Sequence, residues 1–341
     1  NIPASVQSVG LYAFEYCLSL ADVTFDGDSE CTYIGSYAFE NCSALAEIAL
    51  PDSVTQVDDK AFYGSGLTAV TIGDNLTQLG RGTFSGCAKL SEIKVSDGNK
   101  VYAAYDGVLY DKAGATLLMF PCAKSGEYKL PDTATRIAEY ACADAKLLTS
   151  VTLNDGLTEI SGYAFSGCEA LANPNLPASL KTIGENAFEY CDSFDGRLTI
   201  PKSVISIGRY AFYNDYSLDE IVIEAESELT RIGYGTFAYS GITSFTVPGN
   251  VSSMGQEVFA GCRNLLTVTY EADSKLTAIA AWTYQGADEL RQITFEEGSS
   301  LTTIEAEALK GLTKLQKINI DNCKKLTTID NYSFYNCTAL T

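Results

Sequence analysis

One short pattern is repeated thirteen times along the 341 residues, and no other feature limits the possible fold as strongly. Its centre is an anchor at Phe14, Phe39, Phe62, Phe84, Phe165, Phe188, Phe212, Phe237, Phe259 and Phe334, with Cys142, Tyr284 and Leu309 in the equivalent place. Successive anchors lie 22 to 25 residues apart, except for one gap of 58 between Phe84 and Cys142. Five residues before every anchor stands an apolar residue, such as Val9, Ile34, Ile183 or Ile329, and six after it comes Leu in most copies. A fixed period of this length marks a solenoid. One unit cannot bury its own apolar face, whereas stacked copies bury a continuous one.

Within a unit, the Leu is followed by an alternating run such as Asp22-Val23-Thr24-Phe25 or Gln292-Ile293-Thr294-Phe295. Period-two alternation marks a short strand with one buried face. A turn often carrying Pro or Asp, a second extended piece ending in Ile-Gly, and a segment through Tyr-Ala-Phe complete the unit. The Gly of that piece, as at Gly35, Gly184 and Gly208, predicts either a positive φ or a close backbone approach. Parallel pairing at about 4.8 Å per unit implies a curved rod of about 65 Å, and parallel crossovers imply right-handed coiling. The expected fold class is thus an α/β repeat: a right-handed solenoid with a parallel β-sheet on its concave face and short helical or irregular convex segments. It should span residues 1–341 as a single domain of about thirteen to fourteen repeats. Inside the long gap, Tyr105-Asp106-Gly107-Val108-Leu109-Tyr110 and Leu117 to Pro121 read as a hairpin-like insertion over residues 99–131.

The combination L-x-x-I-x-I-P with S-V-x-x-I-G-x-x-A-F-x-x-C, clearest from Ile2 to Cys17 and from Pro201 to Phe212, resembles the BspA-like, or Treponema pallidum type, leucine-rich repeats. The resemblance covers nearly the whole chain. Cys142 and Leu309 at anchors, and Pro174 at a strand core position, depart from it and predict local distortion. It implies a leucine-rich-repeat solenoid belonging to a cell-surface or secreted protein of a host-associated microbe, with adhesion or protein binding as its role.

Composition removes several functional classes. Lys plus Arg number 23 against 43 Asp plus Glu, a formal charge of -20, which repels nucleic acid and anionic membranes. No histidine is present, so Ser-His-Asp and Cys-His nucleophilic sites are excluded. No apolar run is long enough to span a bilayer, so direct membrane insertion of this segment is not expected. Of the eleven cysteines, Cys17, Cys42, Cys87, Cys168, Cys191, Cys262 and Cys337 stand three residues after an anchor, a slot filled elsewhere by Ser65, Asp215, Ser240, Ala287 and Leu312. A slot with those occupants asks for a compact residue, and free Cys packs as a small hydrophobe. Free thiols are expected, and no cofactor or metal. Asp22, Asp26, Asp28 and Glu30 share one loop but lack a calcium-loop spacing and read as a solvated turn. Tyr12, Tyr37, Tyr140, Tyr163, Tyr210 and Tyr332 stand two residues before anchors, with Trp282, and read as half-buried padding with a polar tip.

The outward face of the strands is the remaining candidate site. Thr152, Thr199, Thr246, Thr269 and Thr294 occupy its middle, and Glu224, Glu271, Glu296 and Asp321 make its margin acidic. A long open sheet suits contact with a macromolecule and offers no closed pocket for a reaction. The function expected is a non-enzymatic interaction or adhesion module, a monomer binding a host or microbial surface or extracellular-matrix protein. The alternative is an architectural spacer with no ligand of its own. A hydrolase built on paired carboxylates is disfavoured for lack of a cleft-forming insertion. Both ends break off within the pattern, so a longer protein carrying any signal or anchor is expected.

Overall fold

The computed structural model describes residues 1–341. They form two compact units, one of Asn1–Asn154 with Tyr163–Ala170, the other of Asp155–Gly162 with Leu171–Thr341. In both, each repeat is one coil and each side of the coil is tied to the next by backbone hydrogen bonds.

The first side is a row of two-residue strands that end on the apolar residue five before the anchor. In the first unit Ser8–Val9, Tyr33–Ile34, Gln56–Val57 and Gln78–Leu79 pair in parallel in that order. In the second unit Glu159–Ile160, Thr182–Ile183, Ser206–Ile207, Arg231–Ile232 and Ser253–Met254 do the same. The second side is a row of longer strands. Ala69–Ile72 pairs with Glu92–Val95, and Gly126–Lys129 with Leu148–Thr152, in the first unit. In the second, Gly196–Ile200 pairs with Leu218–Ile223, and Ser244–Val247, Thr267–Tyr270, Gln292–Phe295 and Lys317–Ile318 form one parallel sheet.

The third side, through the anchor, departs from the expected α/β character: it contains no α-helix, and the chain's one helical segment is the 3-10 turn Ile320–Asn322. The backbone explains this. The residue two before the anchor has positive φ in all thirteen copies, including Tyr12 at 57°, Lys60 at 54°, Trp282 at 57° and Glu307 at 59°. So does the residue two after it, for example Asn41 at 55°, Gly64 at 65° and Asn214 at 70°. Left-handed residues four apart break any helix, at a cost of about 1–2 kcal/mol for each non-glycine. What offsets the cost is a third ladder. Tyr37, Phe39 and Asn41 N–H groups donate to the carbonyls of Asp59, Ala61 and Tyr63 on the next coil, at 3.2, 2.7 and 2.7 Å. The intervening Ala38, Glu40 and Cys42 donate three residues back within their own coil, at 3.2, 3.1 and 3.3 Å. Buried amides in this face are therefore satisfied without a helix.

Close approach, and not positive φ, accounts for the glycine after the short strand. A Cβ on Gly35 would lie 2.8 Å from the Gly10 carbonyl carbon, and one on Gly233 would lie 2.5 Å from the Arg209 nitrogen.

The core of each unit is a stack of anchors. Phe14, Phe39, Phe62 and Phe84 lie at centroid separations of 5.1, 5.2 and 5.6 Å in the first unit. In the second, Phe188, Phe212, Phe237, Phe259 and Tyr284 lie 5.5, 6.0, 5.9 and 5.5 Å apart. Tyr284 brings a hydroxyl into this apolar column, and the buried Tyr270 hydroxyl meets it at 2.7 Å.

The long gap holds an antiparallel meander. Tyr102–Tyr105 and Val108–Asp111 form a hairpin across Asp106 and Gly107, whose φ angles of 49° and 73° fit a turn that favours Asp-Gly. Val108–Asp111 then pairs antiparallel with Thr116–Met119. Phe120 follows, and its N–H donates to Ala141 O at 2.7 Å, as an anchor's does. Leu117 pairs with Ile137, so this coil has three residues from strand to anchor where its neighbour has five. The missing two leave Arg81 and Gly82 facing Glu139 and Tyr140 directly, with an Arg81–Glu139 ion pair at 3.0 Å. Below it a cavity of about 270 Å³ is lined by Leu79, Phe84, Tyr102, Leu118 and Met119.

Candidate functional site

The long-strand sheet of the second unit presents the clearest continuous surface. Thr246, Thr269 and Thr294 sit directly opposite one another on adjacent strands. They point outward because their neighbours Phe245, Val247, Val268, Tyr270, Ile293 and Phe295 are buried. Thr199 also points outward, but its partner across the strand pair is Val222. Thr152 belongs to the first unit, where it stands opposite Lys129. The five threonines are thus brought together only as a trio.

The acidic margin has a structural job that the alternation pattern could not reveal. Glu224, Glu271 and Glu296 each follow the last strand residue, and each carboxylate accepts an N–H from the preceding coil. The donors are Lys202, Gly249 and Ala272, all at 3.0 Å. The side chains are exposed, so one oxygen holds the turn while the other faces solvent. Asp321 lies in the 3-10 turn and is exposed. Two residues before Asp321, where the chain continues from the strand ending at Ile318, Asn319 accepts the Phe295 N–H at 2.7 Å.

The cysteine slot is a packing and hydrogen-bonding position. Cys42 donates its thiol to Phe14 O, Cys87 to Phe62 O and Cys168 to Cys142 O at 3.1 Å each, and Cys262 donates to Phe237 O at 3.0 Å. In each case the acceptor is the anchor carbonyl of the preceding coil, whereas the Ser65 and Ser240 hydroxyls in the same slot lie 3.3 and 3.6 Å from the Cys87 and Cys262 sulfurs of the following coil. All eleven cysteines are free thiols, of which nine are buried. Burial pushes Cys42 and Cys87 up to about 11, and Cys262 up to about 12, so these thiols stay protonated and are poor nucleophiles. Asp215 is the odd occupant. It is fully buried, Oδ1 accepts the Cys191 N–H at 3.0 Å, and Oδ2 has no hydrogen-bond partner. Desolvation raises its carboxyl well above the ordinary range, with the Asp192 and Glu189 charges adding to the effect.

The tyrosines two before the anchor are more than padding, since they take the left-handed backbone conformation described above. Tyr12 stacks on Tyr37 at 5.0 Å and Tyr140 on Tyr163 at 4.6 Å. Nowhere do three or more His, Cys, Asp or Glu side chains come together in a way that could hold a metal ion, and no helix is long and apolar enough to cross a membrane.

Parallel short strands stacked coil upon coil around an anchor column define a leucine-rich-repeat solenoid. Within that class the chain belongs to the BspA type leucine rich repeat region family, which matches residues 7–105, 119–228 and 206–341. Among solved structures, a leucine-rich repeat protein from Eubacterium ventriosum shares the fold with a TM-score of 0.59 and 23% identity, over 98% of this chain and 75% of that one. The pneumococcal vaccine antigen PcpA is similar with a TM-score of 0.54 and 19% identity, over 100% of this chain and 76% of that one. A leucine rich cell surface protein from Faecalibacterium prausnitzii is similar with a TM-score of 0.50 and 24% identity, over 86% of this chain and 78% of that one. No curated protein matches the chain.

Proposed function

We propose that the chain is a non-enzymatic interaction module of a surface or secreted microbial protein, which grips a host or microbial surface or matrix protein through the outward face of its long-strand sheet. The observation that carries this reading is the register of Thr246, Thr269 and Thr294 with Glu271 and Glu296 at their margin. Together they make an open polar strip whose side chains are held by a rigid sheet, the kind of surface that suits a broad macromolecular contact. Right-handed coiling, with this sheet on the concave side, belongs to the same reading. A surface location is supported by the description of the Faecalibacterium prausnitzii relative as a cell surface protein.

The test is capture of the chain on immobilised fibronectin, laminin and collagen, with Thr246→Lys, Thr269→Lys and Thr294→Lys combined. Binding to one of these that falls at least about tenfold in the variant supports the sheet as the contact. Binding that survives unchanged sinks it. A spacer role is the second reading, favoured by the hydrogen bonds that already occupy one oxygen of Glu224, Glu271 and Glu296. That role predicts no capture on any surface.

A further inference from the structure

A second surface lies on the anchor side of the second unit, away from the threonine strip. Tyr190, Tyr210, Tyr213, Tyr234 and Tyr239 form one connected cluster of rings. The centroids are 5.8 Å apart for Tyr190–Tyr213, 5.3 Å for Tyr210–Tyr213, 5.2 Å for Tyr210–Tyr234 and 5.5 Å for Tyr213–Tyr239. All four contacts are edge-to-face, each covering one face of one ring, and the outer rings keep the rest of their surface open. Tyr190 is 42% exposed and Tyr239 44%, and the neighbouring Tyr216 is 60% exposed. Core packing cannot explain a cluster this open, because the same coils bury Phe188, Phe212 and Phe237 beneath it.

Two further observations select the partner. One cation is already received here: the Arg209 guanidinium carbon lies 6.0 Å from the Tyr210 centroid and 5.7 Å from that of Tyr234. The charges acting on the rings are otherwise acidic. Glu189 and Asp192 act on Tyr190, Glu189 acts on Tyr213, and Glu257 acts on Tyr234 through their negative charges. A ring face attracts a cation electrostatically, and an acidic rim in a chain of net charge -20 adds to that attraction while repelling anions. Neutral sugars stack on such rings and donate hydroxyls to carboxylates, but they carry no positive charge for the rim to attract.

We propose that this tyrosine cluster is a second docking surface, taking an arginine-bearing segment of a partner protein whose guanidinium groups lie on the exposed rings inside the acidic rim. The test is calorimetric titration of the whole chain at physiological salt with a short Arg-Gly repeat peptide, a Glu-Gly peptide of the same length and a neutral oligosaccharide. The Arg peptide is expected to bind and the other two not. Tyr213→Leu with Tyr239→Leu removes two rings without changing charge, and is expected to weaken the Arg peptide about tenfold. Should that pair disturb folding, Tyr239→Leu alone, at an exposed position, is expected to weaken it about threefold. Equal affinity in the tyrosine variants would show general attraction to an acidic protein and overturn the proposal. No binding of the Arg peptide, or tighter binding of the oligosaccharide, would overturn it as well. The threonine-strip variant is expected to leave this titration unchanged.

Discussion

The coils from Phe188 to Tyr284 and those from Phe84 to Cys142 bury apolar surface in two different ways. In the first region five anchors form an unbroken column, and every coil spends five residues between short strand and anchor. In the second the column stops at Phe84. Phe120 turns its ring edge-on to Tyr128 at 5.2 Å, and Cys142 leaves room for the Tyr110 and Tyr128 hydroxyls, which meet at 2.7 Å. The regular region draws its stability from identical neighbours. The interrupted one relies on a particular set of side chains, and it tolerates a cavity that stacked coils would close. The solenoid therefore accepts a shortened coil provided the backbone ladder through the anchor continues, as Phe120 N–H to Ala141 O continues it.

The sharpest way to break this comparison is to empty the column. Phe212→Ala is expected to cost about 3–5 kcal/mol in urea unfolding, and Cys142→Ala no more than about 1–2 kcal/mol. Equal costs would mean that the interrupted region depends on its anchor as heavily as the regular one.

Next in size is coil spacing. Gly233→Ala pushes a Cβ against the Arg209 backbone and should cost about 1–3 kcal/mol, whereas Gly10→Ala, with nothing within 4 Å, should be near neutral. Similar losses at both would show that the close approach has been misassigned.

Asp215 tests the thiol slot within the regular region. Its folded-state carboxyl is held well above the ordinary value, so the folded protein keeps a proton that the unfolded chain releases. Stability from this group is present at low pH and is lost as pH rises from about 4 through the raised value. Asp215→Ser, which restores the residue type found at Ser65 and Ser240, is expected to be more stable at neutral pH by about 1–3 kcal/mol. The gain should shrink toward pH 4. A difference curve that is flat with pH would show that Asp215 is not buried as described.

The smallest effect is expected at the margin. Glu271→Gln keeps an oxygen for the Gly249 N–H and should move stability by no more than about 0.5 kcal/mol. A larger loss would mean that the charge, and not just the acceptor, holds the turn.

Much of this architecture was legible in the residues themselves. The anchors, the apolar residue five before them and most of the alternating strands fall where local periodicity puts them, but Asp22-Val23-Thr24-Phe25 forms no strand and makes only one bridge, Phe25 to Ile2. Phe120 escaped because its coil is two residues short, which moves Leu117 out of the expected register. The 22-residue spacing from Phe120 to Cys142 was the available signal. The helical expectation for the anchor segment failed for a different reason. Asn, Asp or Gly stands two residues after most anchors, as at Asn41, Gly64, Asp144 and Gly167, and such residues favour left-handed backbone over helix. The structural role of Glu224, Glu271 and Glu296 was beyond reach, since it depends on a donor 22 to 24 residues earlier in the chain.

The alternating hydrogen bonds of the anchor side also bear on how the protein resists a pulling force. Each regular coil is fastened to its neighbour along three separate lines, so tension applied along the chain must break all three before one coil comes away. Each coil that detaches would free 22 to 25 residues, about 80 Å of extended chain. A tether under intermittent load would thus lengthen in discrete steps, one coil at a time, while the coils still stacked keep their outward faces intact.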